Sequence, residues 1–104
     1  MSGYRFTPQA VDDLFEIWHY IASDNREAAN RVESAIFEAC AFVGESPLRG
    51  HRRTDLTPLA LRFWNVQPYR NYVIVYDPAT KPVHVVRILH GARDVPAILG
   101  KTEF

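Results

Sequence analysis

Tyr69-Arg70-Asn71-Tyr72-Val73-Ile74-Val75-Tyr76 and Val83-His84-Val85-Val86-Arg87-Ile88-Leu89-His90-Gly91-Ala92-Arg93-Asp94 decide the fold of this chain. Both runs are rich in β-branched and aromatic residues, which fit a pleated, packed surface. They are joined by Asp77-Pro78-Ala79-Thr80-Lys81-Pro82, a turn with two prolines. A connection this short makes the two strands antiparallel neighbours. Working back, Gln67-Pro68 separates the first run from Leu61–Val66, which reads as a third strand. The last strand empties into His90-Gly91-Ala92-Arg93-Asp94, a polar exit rather than an apolar one. Polar groups at a strand end are held by a rigid sheet and still reach water, so the exit is a candidate site.

Upstream of the strands the apolar period changes from two to about 3.6. Tyr4-Arg5-Phe6 reads as a short strand, followed by Thr7 as a helix cap with Pro8 at the first helical position. Val11, Leu14, Phe15, Trp18, Ile21 and Ala22 then fall on one helical face, which places Phe15 and Trp18 in the core. Asp12 and Asp13 are expected in or near the first turn, where the helix dipole favours acids. Asp24 with Glu27 resembles a capping box for a second helix, whose buried face holds Ala29, Val32, Ile36, Ala39, Cys40 and Val43. Gly44 is placed to end that helix and Pro47 to prevent its resumption. Residues 45–60 read as a polar, basic loop. Val95 to Gly100 has room for one or two helical turns, with Asp94 as the cap.

The order is therefore β-α-α-β-β-β with a short C-terminal helix, an α+β architecture. An antiparallel sheet packs one face on a helical hairpin, because the hairpin must bury its apolar stripes. The other sheet face is expected to be left to solvent or a partner. Length, the absence of repeats and the lack of a linker imply a single domain over residues 1–104.

Composition narrows the function classes. The lone cysteine, Cys40, excludes a disulfide framework within one chain, and its place on the buried stripe makes it inert. His19 and His84 lack partners at metal-ligand spacing, so no metal and no cofactor are expected. No signal-peptide pattern or membrane-length apolar run occurs, which predicts a soluble, cytoplasmic protein with no membrane partner. The net charge of zero conceals an asymmetry. Residues 1–45 carry eight acids against three arginines, a balance of −5, and residues 46–104 carry nine bases against four acids, a balance of +5. Ten of the twelve bases are Arg, the residue suited to bidentate contact with carboxylate or phosphate. The basic half either meets an anionic partner or neutralises the acidic helices internally.

The order of elements and several of the quoted residues resemble the RelE/ParE superfamily of toxins from type II toxin–antitoxin systems. The Tyr4–Ala10 opening, Ser46-Pro47, the Arg62 strand, the Tyr69–Tyr76 strand and the Arg87–Asp94 exit carry the likeness, which spans nearly the whole chain. The His-Gly-x-Arg-Asp ending is more similar to the ParE branch, which includes plasmid stabilisation proteins, than to the RelE branch. The resemblance implies a toxin silenced by a cognate antitoxin in a hetero-oligomeric complex. ParE members poison DNA gyrase and act by binding; RelE members cleave mRNA on the ribosome.

Under the ParE reading, Arg87, His90, Arg93 and Asp94 are the target-binding candidates. Under the RelE alternative, Arg70 and Arg93 match phosphate-contacting arginines and His90 is the acid or base. The same arginines can instead pair with an acid such as Asp94 or Asp77, and His90 can simply close a strand end. Arg49, Arg52, Arg53, Arg62 and Trp64 are candidates for antitoxin or nucleic-acid contact, with His51 solvated among them. Phe63 and Trp64 are neighbours on a strand, so only one of them can face the helices. Val95 to Leu99 lacks the Tyr frequent in the RelE C-terminal helix, and arginines stand where that branch has a Lys-rich loop. Both departures point to a binder rather than a nuclease. A third alternative is an inactive family member that only binds antitoxin.

Overall fold

The computed structural model describes residues 3–91 and 95–102. In chain order the elements are β1 (Tyr4–Phe6), α1 (Pro8–Ala22), α2 (Arg26–Glu45), β2 (His51–Arg52), β3 (Arg62–Asn65), β4 (Tyr72–Asp77), β5 (Val83–His90) and α3 (Val95–Gly100). The strands form one sheet in the order β1-β5-β4-β3-β2. β3, β4 and β5 are antiparallel neighbours, as their short connections require. β1 pairs with β5 in parallel, Tyr4 opposite Val83 and Phe6 opposite Val85, so the sheet is mixed. The basic loop contributes β2, with His51 opposite Phe63 and Arg52 opposite Arg62. Two residues are too few for a periodicity to be read from sequence.

β4 begins at Tyr72 rather than Tyr69. Residues 69–71 form a turn in which the Tyr72 amide donates to the Tyr69 carbonyl at 3.0 Å. β5 bulges where the pairing shifts: Val75 opposes Arg87 but Tyr76 opposes Val85. The extra residue changes the alternation. Val85 and Ile88 both join the core under the helices, while Val86 joins the opposite face.

That opposite face is not left open. Leu61, Phe63, Val75, Val86, Leu89, Val95 and Leu99 form a second, smaller core, with α3 and Leu56 of the loop packed over it. Strand alternation sends Phe63 here, and Trp64 to the helical side, where its ring lies 4.9 Å from Phe42. The main core joins Val32, Ile36, Ala39, Cys40 and Val43 of α2 to Ile74, Tyr76, Val83, Val85 and Ile88 of the sheet.

The helix boundaries follow side-chain hydrogen bonds. The Thr7 hydroxyl accepts from the Ala10 amide at 3.1 Å, capping α1. α2 is capped by Asn25, not Asp24. The Asp24 and Asn25 amides still donate to Ile21, so both finish α1, and Asn25 is the first residue extended enough to cap the second helix. α2 also continues through Gly44 to Glu45. Gly44 serves close packing instead of termination: a Cβ there would lie 2.7 Å from the Gly3 carbonyl oxygen. No helix among the described residues is long and apolar enough to cross a membrane.

α1 is rotated relative to the stripe read from sequence. Ala10, Asp13, Leu14, Ile17 and Ile21 face inward, whereas Phe15 is 62% exposed and Val11 40% exposed. Asp13 lies beyond the first turn, and no acid occupies that turn. The helix turns an acid inward because an arginine waits for it on β5.

Candidate functional site

β1 stops opposite Val85, so the outer edge of β5 beyond that point has no strand neighbour among the described residues. An uncovered edge presents unpaired backbone groups. α1 covers this one with side chains. Thr7 donates its hydroxyl to the Val86 carbonyl at 2.6 Å, and the Ile88 amide donates to Asp13 Oδ2 at 3.0 Å. Asp13 also takes a two-pronged contact from Arg87, Nε to Oδ2 at 2.6 Å and Nη2 to Oδ1 at 2.7 Å. The remaining Arg87 nitrogen, Nη1, donates to Thr102 Oγ1 at 3.1 Å. One guanidinium thus ties α1, β5 and the segment after α3 together. Its pKa is raised, first by the Asp13 hydrogen bonds and then, against the cost of burial, by the charges of Asp13, Glu16 and Asp12.

Past Asp13 the covering gives way to a groove of about 890 Å³ between α1, the β4–β5 ends and α3. Glu16, Ile17 and Tyr20 of α1 form one wall; Tyr72, Ile88, Leu89 and His90 form the floor, and Ile98 the far side. The rings of Tyr72 and His90 lie 4.8 Å apart. Tyr72 has a raised pKa, chiefly from burial and also from the nearby Tyr20 phenol. Gly91, directly after His90, has φ +75°, a conformation glycine adopts without strain. The groove is lined by carboxylates, phenols, the His90 imidazole, the Asp13-bound Arg87 guanidinium and hydrocarbon, so it is suited to holding a peptide segment.

The sequence-predicted residues divide among four places. Arg87 and His90 both line this groove, but the Arg87 guanidinium is taken up by Asp13. Arg93 and Asp94 lie outside the described residues. Arg70 is exposed on the β3–β4 turn, its Nε donating to Gln67 Oε1 at 3.2 Å; neither Asp77 nor another acid pairs with it among the described residues. The basic group occupies the opposite corner, on β2, β3 and the flanking loop. There Arg49 stacks over Phe42 at 5.5 Å, Arg53 is paired with Asp55 at 2.8 Å, and Arg52 is exposed on β2. Arg62 donates through Nη1 to the Gly50 carbonyl at 2.8 Å and the Leu48 carbonyl at 3.3 Å. Trp64 lies half-buried against α2.

The separation of these groups follows from the register. His90 opposes Tyr72 at one end of β4, and Arg62 opposes Tyr76 toward the other. Four residues along a strand are about 13 Å, and Arg62 is a further strand across. Among the described residues no three His, Cys, Asp or Glu side chains converge as metal ligands.

Sequence reasoning missed Asp13, Glu16, Tyr20, Tyr72, Ile98 and Thr102 as parts of this region. A signal existed for Asp13. It lies at i+3 from Ala10 and four before Ile17, so an acid interrupts the helical stripe. A carboxylate on a buried face calls for a basic or hydrogen-bonding partner.

A family model described as the ParE toxin of type II toxin–antitoxin system, parDE, matches residues 4–95. A curated relative, Toxin RelE2 of Caulobacter vibrioides, is 37% identical over 93 residues, covering 89% of this chain and 99% of its own. A solved structure titled as the chromosomal ParDE TA system from P. aeruginosa superposes with a TM-score of 0.71 at 20% identity. It covers 88% of this chain and 98% of that one, a likeness of fold. The sheet, the helical hairpin and the family match lead to one assignment: this chain belongs to the ParE toxin family of the RelE/ParE superfamily and is the toxin of a type II toxin–antitoxin pair.

Proposed function

We propose that the toxin acts by binding DNA gyrase and arresting replication, with no hydrolytic step of its own. The observation that carries this reading is the separation of His90 from the basic cluster of Arg49, Arg52, Arg53 and Arg62. His90, the one described histidine at the strand exit, sits over an acidic and apolar groove, while the basic cluster occupies the opposite corner of the sheet. An RNA phosphate entering beside His90 would meet Glu16, and the one guanidinium lining the groove among the described residues, that of Arg87, is already neutralised by Asp13. General acid–base cleavage needs the proton-transfer group and the phosphate-charge stabilisers within hydrogen-bond reach of one substrate.

Membership of the family implies an antitoxin partner, and we assign its seat to the α1–β5–α3 groove. Apolar burial along Ile17, Ile88, Leu89 and Ile98 supplies affinity there. The complex is cytoplasmic and hetero-oligomeric in this reading.

Purified toxin added to gyrase and relaxed plasmid tests the proposal. Loss of supercoiling, reversed by antitoxin, is expected. Full supercoiling at saturating toxin, with cleaved mRNA in a translating ribosome assay, would contradict it. One observation favours that ribonuclease alternative: Arg70 and His90 are both exposed toward the same end of adjacent strands. It predicts mRNA cuts that disappear in His90→Ala.

A further inference from the structure

We infer that the groove recognises a cationic side chain: an Arg or Lys of the antitoxin seated at Glu16, against the tyrosine rings of Tyr20 and Tyr72. The inference rests on the assignment of the groove as the antitoxin's seat and adds the chemistry of what fills it.

Charge complementarity carries it. Among the described residues, Arg87 is the one Arg or Lys lining the groove, and Asp13 occupies its guanidinium at 2.6 Å. Glu16 and Asp12 act on that same guanidinium only through space. Three carboxylates therefore act on one positive charge, and Glu16 and Asp12 make no salt bridge among the described residues. Asp12 is exposed to solvent beside the groove, whereas Glu16 forms part of its wall. A carboxylate in the wall of an apolar groove loses hydration when a partner covers it. That loss is recovered only if the partner brings a positive charge or hydrogen-bond donors.

The aromatic lining selects the type of donor. Tyr20 and Tyr72 both line the groove. Tyr20 is 80% exposed, so its ring face is free to be covered by an incoming group. A guanidinium or ammonium beside an aromatic face gains cation–π attraction, and its methylenes pack on the same hydrocarbon. His90, its ring on Tyr72, is the remaining titratable wall of the groove. The basic half of the molecule suggests an acidic antitoxin throughout. This groove asks for the opposite sign at one position.

The test is the affinity of full-length cognate antitoxin for toxin variants, measured by titration calorimetry. Glu16 and Tyr20 are exposed, so substitution leaves both cores intact. Glu16→Gln is expected to weaken binding about ten-fold and Glu16→Lys more, in line with loss of a charge pair at a covered interface. Tyr20→Ala should weaken it by a smaller factor. Reversing the matching Arg or Lys of the antitoxin to Glu should restore affinity for Glu16→Lys, which a merely structural role would not do. A third variant, Ile98→Asp, reports on the groove itself. If Ile98→Asp weakens binding while the Glu16 and Tyr20 variants bind like the native toxin, the cation seat is overturned and the groove remains the docking site. If none of the three changes affinity, the groove is not the antitoxin's seat and the inference falls with that assignment.

Discussion

Asp13 is the residue on which the local chemistry turns. Its carboxylate takes both prongs of Arg87 and the Ile88 amide, so it neutralises a charge and covers a strand edge at once. Removing one partner of such a pair leaves the other charge and an amide without compensation. Asp13→Ala should therefore cost about 2–4 kcal/mol by chemical denaturation, toward the lower end because Arg87 keeps some contact with water. A loss under about 1 kcal/mol would show that the pair is dispensable. Tyr76 presents a neutral counterpart. Its buried hydroxyl donates to the Pro47 carbonyl at 2.6 Å and accepts from the Gly50 amide at 2.9 Å, pinning the basic loop to the sheet. Tyr76→Phe should lose about 1–3 kcal/mol, with the 48–50 amides gaining hydrogen exchange first. At this scale the sequence was only partly readable. His90, Arg87 and Arg70 stood out because their types carry chemistry and they lie on or beside strands. Asp13 and Tyr20 did not, because their roles depend on how far α1 is rotated. That rotation is set by Arg87, 74 residues away. Helical periodicity cannot carry a contact of that range, so it placed Phe15 inside and left Asp13 off the buried stripe, in or near the first turn.

Among the elements, α2 shows how packing overrides propensity. A glycine within a helix normally costs about 1 kcal/mol relative to alanine, so Gly→Ala is usually stabilising. Gly44 should behave in the opposite way. An added Cβ would lie 2.7 Å from the Gly3 oxygen and 2.8 Å from its carbonyl carbon, both backbone atoms that cannot swing aside. Gly44→Ala is expected to lower the melting temperature, and an increase would mean that β1 can yield to α2 at no cost. The element order and the pairing of β3, β4 and β5 were legible, because alternation and proline turns are local signals. The parallel partner of β1, the two-residue β2 and the β5 bulge were not, since each is defined by what lies across the sheet. The second core was also hidden. Leu56, Val95 and Leu99 lie in segments too short or irregular to announce a buried face.

For the whole molecule, titration of the buried acids gives a pH window. Burial pushes the Cys40 thiol from its ordinary value of 9.0 up to about 12, and Tyr4, Tyr72 and Tyr76 are shifted upward from 10.0, chiefly for the same reason. The fold holds the neutral forms, so this contribution is complete below about pH 9. In the unfolded chain these groups ionise first, so stability falls progressively as pH rises from about 9 toward 12. Denaturation midpoints measured across that range should decline, and Cys40→Ser should flatten the first part of the fall. Native Cys40 should also resist alkylation at about pH 8 and react only on unfolding.

The central claim, a gyrase-directed binder rather than a ribonuclease, is a statement about what the cell loses first. Inducing the toxin in bacteria that lack the antitoxin, and following thymidine and methionine incorporation separately, tests it most directly. The account predicts that thymidine incorporation falls first, while methionine incorporation continues. An early fall in methionine incorporation, with DNA synthesis still running, would contradict it.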